Sequence, residues 1–426
     1  MKKKQLVPIF LYSCIIWSLG NGLLPLLPIY AKELGASASV IGYYLAISYA
    51  ALAAGTLSAG WLADLVKSRK LLLIIAGMLN VFVLFFLGNF LKIKYLIIFT
   101  SVVWFLGGLS IASLLTITGM YADKNERGKI FGLLALTTAI GSIIGGLTFG
   151  KFADLYGFQT LFKLLSIFAA FCPIITCFID DKKVKSVLMM ESSSINKPSK
   201  FGKCFLLLII VGFLGGFVFL LGRLGISLTM NIKGFKLTEI SLTTAVGGLV
   251  SLPFIYMIGW LSDKFGKIKL LSVCFIFGTV SMVLLLNASV FYHFILASAI
   301  LILLSISQNI GAAFVTDLVP KQKLGKSISI YTASNWLGGI IGFALGGIII
   351  QNFGLTYAFI MCAIIPIIAL LLLSKLWFRD RITLSEASVK ELFQLRFGKF
   401  PISRSLVERG REQIYHVPRN SQPAIR

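Results

Sequence analysis

Twelve apolar runs, each of about 20 residues or more, recur at roughly 7–30, 39–63, 71–91, 95–121, 129–150, 159–179, 204–230, 239–262, 270–288, 291–316, 327–350 and 355–378. A helix rises about 1.5 Å per residue, so each run can cross a hydrocarbon core of about 30 Å. With 57% of residues hydrophobic and 13% charged, an aqueous fold lacks the polar groups to cover what it could not bury. The excess must face lipid, where backbone N–H and C=O groups have to be satisfied within each segment, so the runs are helices rather than strands. The expectation is an all-α, polytopic membrane protein in contact with the lipid bilayer.

The net charge of +24 raises the possibility of nucleic acid, but the placement of the basic residues argues against it. Most of the 40 Lys and Arg fall in alternate connections: Lys2 to Lys4, the turns near 67–70, 124–129, 264–269 and 321–326, the segment 182–203, and the stretch from Lys375 onward. Cytoplasmic loops carry such an excess. The expected localisation is therefore a cell membrane, with both termini cytoplasmic. The opening "MKKKQLVPIF" starts an apolar stretch too long for a signal peptide and is read as a retained first helix. The 6 cysteines fall in or beside spans without ligand spacing, and the 2 histidines, His293 and His416, lie far apart. Neither disulfides, a metal site nor a cofactor is expected.

A stretch in the first half returns in the second. "GWLADLVKSRK" occupies residues 60–70 and "GWLSDKFGKIK" residues 259–269. At nearly the same offset Gly128 and Lys129 match Gly325 and Lys326, Gly141 matches Gly338, Gly145 matches Gly342, Gly150 matches Gly347 and Gly157 matches Gly354. The frequency of glycine in membrane helices does not explain this shared register. The chain divides into a six-helix bundle at 1–180, a cytoplasmic linker at 181–203, a second six-helix bundle at 204–378 and a basic cytoplasmic tail at 379–426. Pseudo-symmetric halves of this kind place a substrate site at their interface near the bilayer midplane.

These repeated stretches resemble the signature of the major facilitator superfamily between its second and third helices. The second copy keeps the Asp263, Lys264, Gly266, Lys267 spacing, whereas the first has Leu65, Lys67 and Ser68 where a basic residue, a glycine and an arginine are usual. "LGNGLLPLLPIYAKELG", with Pro25 and Pro28, is similar to the first-helix signature of the drug:proton antiporter branch. "GSIIGG", Gly141 to Gly146, resembles that branch's fifth-helix motif, with Ser142 in place of its proline and Thr137 in place of a glycine. The branch's fourth-helix arginine is absent; Val103 or Trp104 stands there. The resemblance covers residues 1 to about 378. It implies the major facilitator fold, alternating access, and an inner gate at Gly60, Asp64, Arg69 and Arg127 with Gly259, Asp263, Lys264, Gly266 and Lys267. Each aspartate would pair with nearby basic residues or with a helix N-terminus of the other half, whose partial positive charge favours a carboxylate. A structural boundary followed by orienting lysines is the competing reading.

Individual residues refine the site. Arg223 interrupts the apolar run "FVFLLGRLGISLTM". Facing lipid it would cost about 2.5–3.5 kcal/mol on insertion scales, so it faces a cavity and an anionic group, snorkels, or bonds helix-end carbonyls. Asn21, Gln308, Asn309 and Asn335 are further cavity candidates, with Trp104 and Tyr256 as stacking surfaces. Pro25, Pro28, Gly141, Gly145, Gly146, Gly338 and Gly342 are assigned to helix packing. None of the 16 acidic residues lies mid-helix; Glu33, Asp154 and Glu239 sit near outer ends. The expected function is a secondary transporter moving a small-molecule substrate, foremost drug efflux, with H+, Na+ or no coupling ion and a monomeric state. A small organic-anion carrier is the alternative and a non-transporting sensor the remote one. No nucleophile–base pair points to an enzyme.

Overall fold

Apolar length fixes the helices, and left-handed turns separate them. The computed structural model describes residues 3–121, 127–180, 202–319 and 324–375. In the first half α1 (Lys3–Leu23) and the short α2 (Leu27–Glu33) are followed by α3 (Ala38–Val66), α4 (Arg69–Leu87), α5 (Ile93–Tyr121) and α6 (Arg127–Cys177). The second half holds α7 (Lys203–Ile232), α8 (Leu237–Phe265), α9 (Lys267–Leu286), α10 (Phe291–Ser305), α11 (Ser307–Leu318) and α12 (Leu324–Phe353), then α13 (Leu355–Lys375). Residues 181–201 of the expected linker and the expected tail, with Lys321, Lys323 and Lys326, lie outside the described residues or side chains, and α7 begins at the linker's last residue, Lys203.

Two breaks in the helices have local causes. The first span is broken at residues 24–26, where Pro25 sits in the turn and Pro28 enters the first turn of α2; proline lacks the N–H that a helix interior needs. The apolar stretch Ile130–Cys177 is 48 residues long, about 72 Å as a straight helix and more than twice the hydrocarbon thickness. Gly157, at φ 75° and ψ 166°, breaks it into the two spans expected at 129–150 and 159–179.

Backbone conformation carries the repeat as clearly as sequence does. Left-handed φ values occur at Gly35 and Gly234, at Gly157 and Gly354, and at Lys67 and Gly266. The first two pairs turn the chain at one end of the bundle. The third turns it at the end where α1 begins, called here the basic end; the opposite is the far end. Lys67 adopts φ 55° where its counterpart is glycine, a conformation costing a residue with a Cβ about 1–2 kcal/mol. The next residue, Ser68, restarts the chain by accepting the Leu71 N–H at 3.1 Å and so capping α4.

Each half is tied by hydrogen bonds across its helices. The Tyr12 hydroxyl on α1 donates to the Leu73 carbonyl on α4 at 3.3 Å and lies 3.2 Å from Ser110 Oγ on α5. Ser13 bonds Thr137 at 2.8 Å, which gives the hydroxyl at this usual glycine position a packing partner. In the second half Ser281 donates to the Ala297 carbonyl at 2.7 Å and Ser298 to that of Thr243 at 3.0 Å. The outward faces are apolar, as lipid requires: on α4, Ile75, Leu79, Phe82 and Phe86 repeat at helical spacing and are exposed.

Candidate functional site

A cavity of about 340 Å³ lies between the halves, within the size range of sites for small organic ligands. The first half supplies Trp17, Asn21, Tyr49, Thr138 and Ser142; the second supplies Phe219, Arg223, Thr244, Ser251, Gln308, Asn309, Asn335 and Trp336. Five sequence candidates thus converge: Asn21, Arg223, Gln308, Asn309 and Asn335. Pro25, assigned to packing, also lines the space, as does Ser142 at the proline position of the fifth-helix motif. Trp104 does not: it is buried elsewhere, on α5. The side chain of Tyr256 lies outside those described.

Arg223 reaches the cavity from α7. Its Nη2 donates to Thr244 Oγ1 on α8 at 3.1 Å, and its Cζ lies 5.9 Å from the Phe219 ring centre. These contacts hold the guanidinium inward, so neither snorkelling nor helix-end carbonyls account for it. Asn21 Nδ2 donates to the Thr138 carbonyl and Asn335 Nδ2 to that of Tyr331, both at 3.4 Å. The remaining walls are aromatic and aliphatic. Tyr49, missed in the sequence, stands 5.9 Å from the Trp336 ring and 5.2 Å from Phe343. Nothing in the alternation of α3 marked it, because its lipid-facing positions are apolar too.

The cavity is closed at the far end. A Cβ on Gly42 of α3 would meet the Phe343 carbonyl oxygen at 2.5 Å and Gly347 Cα at 2.7 Å on α12, so this crossing requires glycine. Gly146 and Gly150 on α6 abut α8 in the same way, and Ser241 donates to the Gly146 carbonyl at 2.7 Å. Asp154 completes the seal: its carboxylate accepts from the backbone N–H groups of Leu237 and Thr238 at 3.1 and 2.7 Å, and from the Thr238 hydroxyl at 2.5 Å. Lys32 donates to Asn231 at 2.9 Å, and the Ser39 N–H to Gln351 at 3.0 Å. Gly141 and Gly145 pack instead on α1, and Gly338 and Gly342 on α7.

No such crossing occurs at two glycines of the basic end. Space for a Cβ is open at Gly60 on α3 and at Gly132 on α6, with no atom within 4 Å. Of the expected gate residues, Asp64 is exposed and Arg69 buried, its Nε without a hydrogen-bond partner among the described residues. Gly266 begins α9 in its left-handed conformation. Lys267 turns to its own half, donating to Asp317 at 2.7 Å and to the Ala313 carbonyl at 3.0 Å. Lys264 lies over the Phe265 ring at 5.6 Å. The side chains of Arg127 and Asp263, and the surroundings of Gly259, are outside the description. No cluster of metal-binding side chains occurs among the described residues.

Comparison with known proteins agrees with this architecture. The sequence model of the Major Facilitator Superfamily matches residues 9–235 and again 205–406, reaching past the expected limit near 378. The multi-drug resistance efflux pump PmrA of Streptococcus pneumoniae is 26% identical over 363 residues, covering 79% of this chain and 88% of PmrA. The multidrug resistance protein MdtG of Escherichia coli is 22% identical over 378 residues, covering 85% and 91%. Among solved structures, the nucleoside transporter NupG superposes with a TM-score of 0.72 at 13% identity, covering 88% of this chain and 99% of NupG. A POT family transporter in complex with 5-aminolevulinic acid gives 0.71 at 16%, covering 88% and 95%. Two tandem matches, a cavity between halves and, among the described residues, eleven helices long and apolar enough to cross a membrane, one of them broken in two at Gly157, lead to one assignment: the chain is a transporter of the major facilitator superfamily.

Proposed function

We propose that the chain exports small amphipathic molecules from the cytoplasm by alternating access. The observation that supports this reading is the cavity itself, shared by both halves, with glycine crossings closing the far end and open space beside Gly60 and Gly132 at the basic end. Positive-inside placement of lysines and arginines puts the basic end in the cytoplasm, so the conformation is inward-open and ready to load. In the proposed cycle the bundles 1–180 and 204–378 rock about the cavity: the far-end contacts part, and the basic end closes through Asp64, Asp263 and their basic neighbours. The efflux relatives support the direction. Aromatic walls with scattered hydroxyls and amides suit amphipathic solutes.

The test is flux. Purified full-length protein in liposomes, oriented with the basic end accessible, should move a fluorescent amphipathic solute saturably toward the far side. Flux no greater than in protein-free liposomes across a panel of anionic, neutral and cationic amphiphiles would refute the proposal.

A further inference from the structure

We infer that the cavity selects amphipathic anions, with the acidic head bound by Arg223 and the apolar body by the aromatic walls; this rests on the transport reading and names its substrate class. Among the described lining residues Arg223 is the sole ionic group, and no Asp or Glu accompanies it. Of the described carboxylates on elements that line the cavity, Asp154 is engaged with the start of α8 and Glu239 with the Lys236 N–H at 2.8 Å at the far end, while at the basic end Asp317 on α11 pairs with Lys267 and Asp64 on α3 is exposed. A guanidinium removed from bulk water without a counter-ion leaves a positive potential around it, stronger there than in water. An anion entering the cavity relieves that potential and a cation adds to it.

Hydrogen bonding points the same way. An arginine offers five N–H donors in a planar fork, and Thr244 takes one. The side chain remains partly accessible, and none of its nitrogens is sealed without a partner. The unused donors are therefore open to a ligand. Thr244 and the Phe219 ring fix the plane of the fork, which is the arrangement that binds carboxylate or phosphate through two parallel bonds. Inorganic anions would leave most of the space empty, whereas Trp17, Tyr49 and Trp336 offer surface for a ring or chain. A lipophilic cation finds the same surface but no acid.

Three compounds of matched shape separate the possibilities: 2-naphthoate, 2-naphthamide and 2-naphthylmethylammonium. Binding to the detergent-purified full-length protein is measured by calorimetry and thermal shift. On the wild type the carboxylate should bind at least about tenfold tighter than the amide, and the ammonium weakest of the three. Arg223→Gln should remove the preference, leaving carboxylate and amide equal. Arg223→Lys, which keeps charge but loses the fork, should retain part of it. Thr244→Val, which leaves the charge in place, should weaken the carboxylate alone and serves if Arg223→Gln does not fold.

Equal binding of the three by the wild type, preference for the ammonium, no measurable carboxylate binding, or a preference surviving Arg223→Gln would each overturn the inference. Its failure is separable from that of the transport reading. An ammonium that binds and is transported removes the anion assignment and keeps export. A carboxylate that binds through Arg223 while no analogue crosses the liposome membrane does the reverse.

Discussion

At the far end α3 meets α12 where Gly42 touches Gly347, and α6 meets α8 along Gly146 and Gly150; at the basic end, Gly60 on α3 and Gly132 on α6 face open space. The far end is laced between halves by Lys32 with Asn231, Ser39 with Gln351, and Asp154 with the start of α8. At the basic end Gln5 bonds Asp180, Lys70 the Cys177 carbonyl and Lys267 Asp317, each pair within its own half. Groups satisfied within a half lose nothing when that end opens. The far-end bonds are made between halves but lie near water, so breaking them costs little. Two states can interconvert only if they differ by a few kcal/mol, and a seal of glycine contacts and exposed caps keeps the difference small.

A steric change at the far-end crossing should have the strongest consequence. Gly42→Leu would drive a side chain into the Phe343 carbonyl and Gly347, and overpacking of a tight contact costs about 1–3 kcal/mol. The far end should therefore part. Spin labels at Glu33 and Asn352, both exposed, should report a longer distance in the variant than in the wild-type background, with amphiphile flux much reduced. An unchanged distance in a folded variant would mean that this crossing does not hold the far end shut.

A smaller effect is expected from the cap. Lys236 precedes α8 and has no side-chain acceptor for the helix's free N–H groups; Asp154 supplies one from the other half. Asp154→Ala removes an interaction that in ordinary N-caps contributes about 0.5–2 kcal/mol. The same label pair should shift toward the open distance by a population change rather than a new distance. Asp154→Asn, which keeps one acceptor oxygen, should lie between. Equal populations in all three proteins would reduce Asp154 to a solvated side chain.

How much of this could be read beforehand follows from the same physics. The spans were legible because twenty apolar residues have one meaning in a chain with so few charges. The cavity's polar members were legible because Asn21, Arg223, Gln308, Asn309 and Asn335 are costly against lipid and so must face inward. Trp17, Tyr49 and Trp336 were not, and Trp104 was misplaced, because in a membrane helix both faces are apolar and periodicity no longer tells lipid from cavity. The substitution of Lys67 for glycine was visible, but that it retains the left-handed turn was visible only in the backbone. The role of Asp154 was hidden because its partner is a backbone, which sequence does not display.

The smallest effect on folding bears most directly on the gate. Gly60 heads the first copy of the repeated stretch, and in the conformation described a Cβ there meets nothing within 4 Å. Replacing a helix-interior glycine with alanine gains up to about 1 kcal/mol when the space is free, so Gly60→Ala should raise thermal stability slightly. In the proposed cycle, however, the basic end closes on this segment once the far end opens, as Gly42 closes on Gly347 now. The variant should then favour the inward-open state: a slightly higher Tm, a far-end label distance locked at its short value, and flux lowered several-fold. Should Gly60→Ala gain stability and transport at the wild-type rate, the glycine would be only part of a turn signature, and closure of the basic end would have to be sought in the charged residues that follow it.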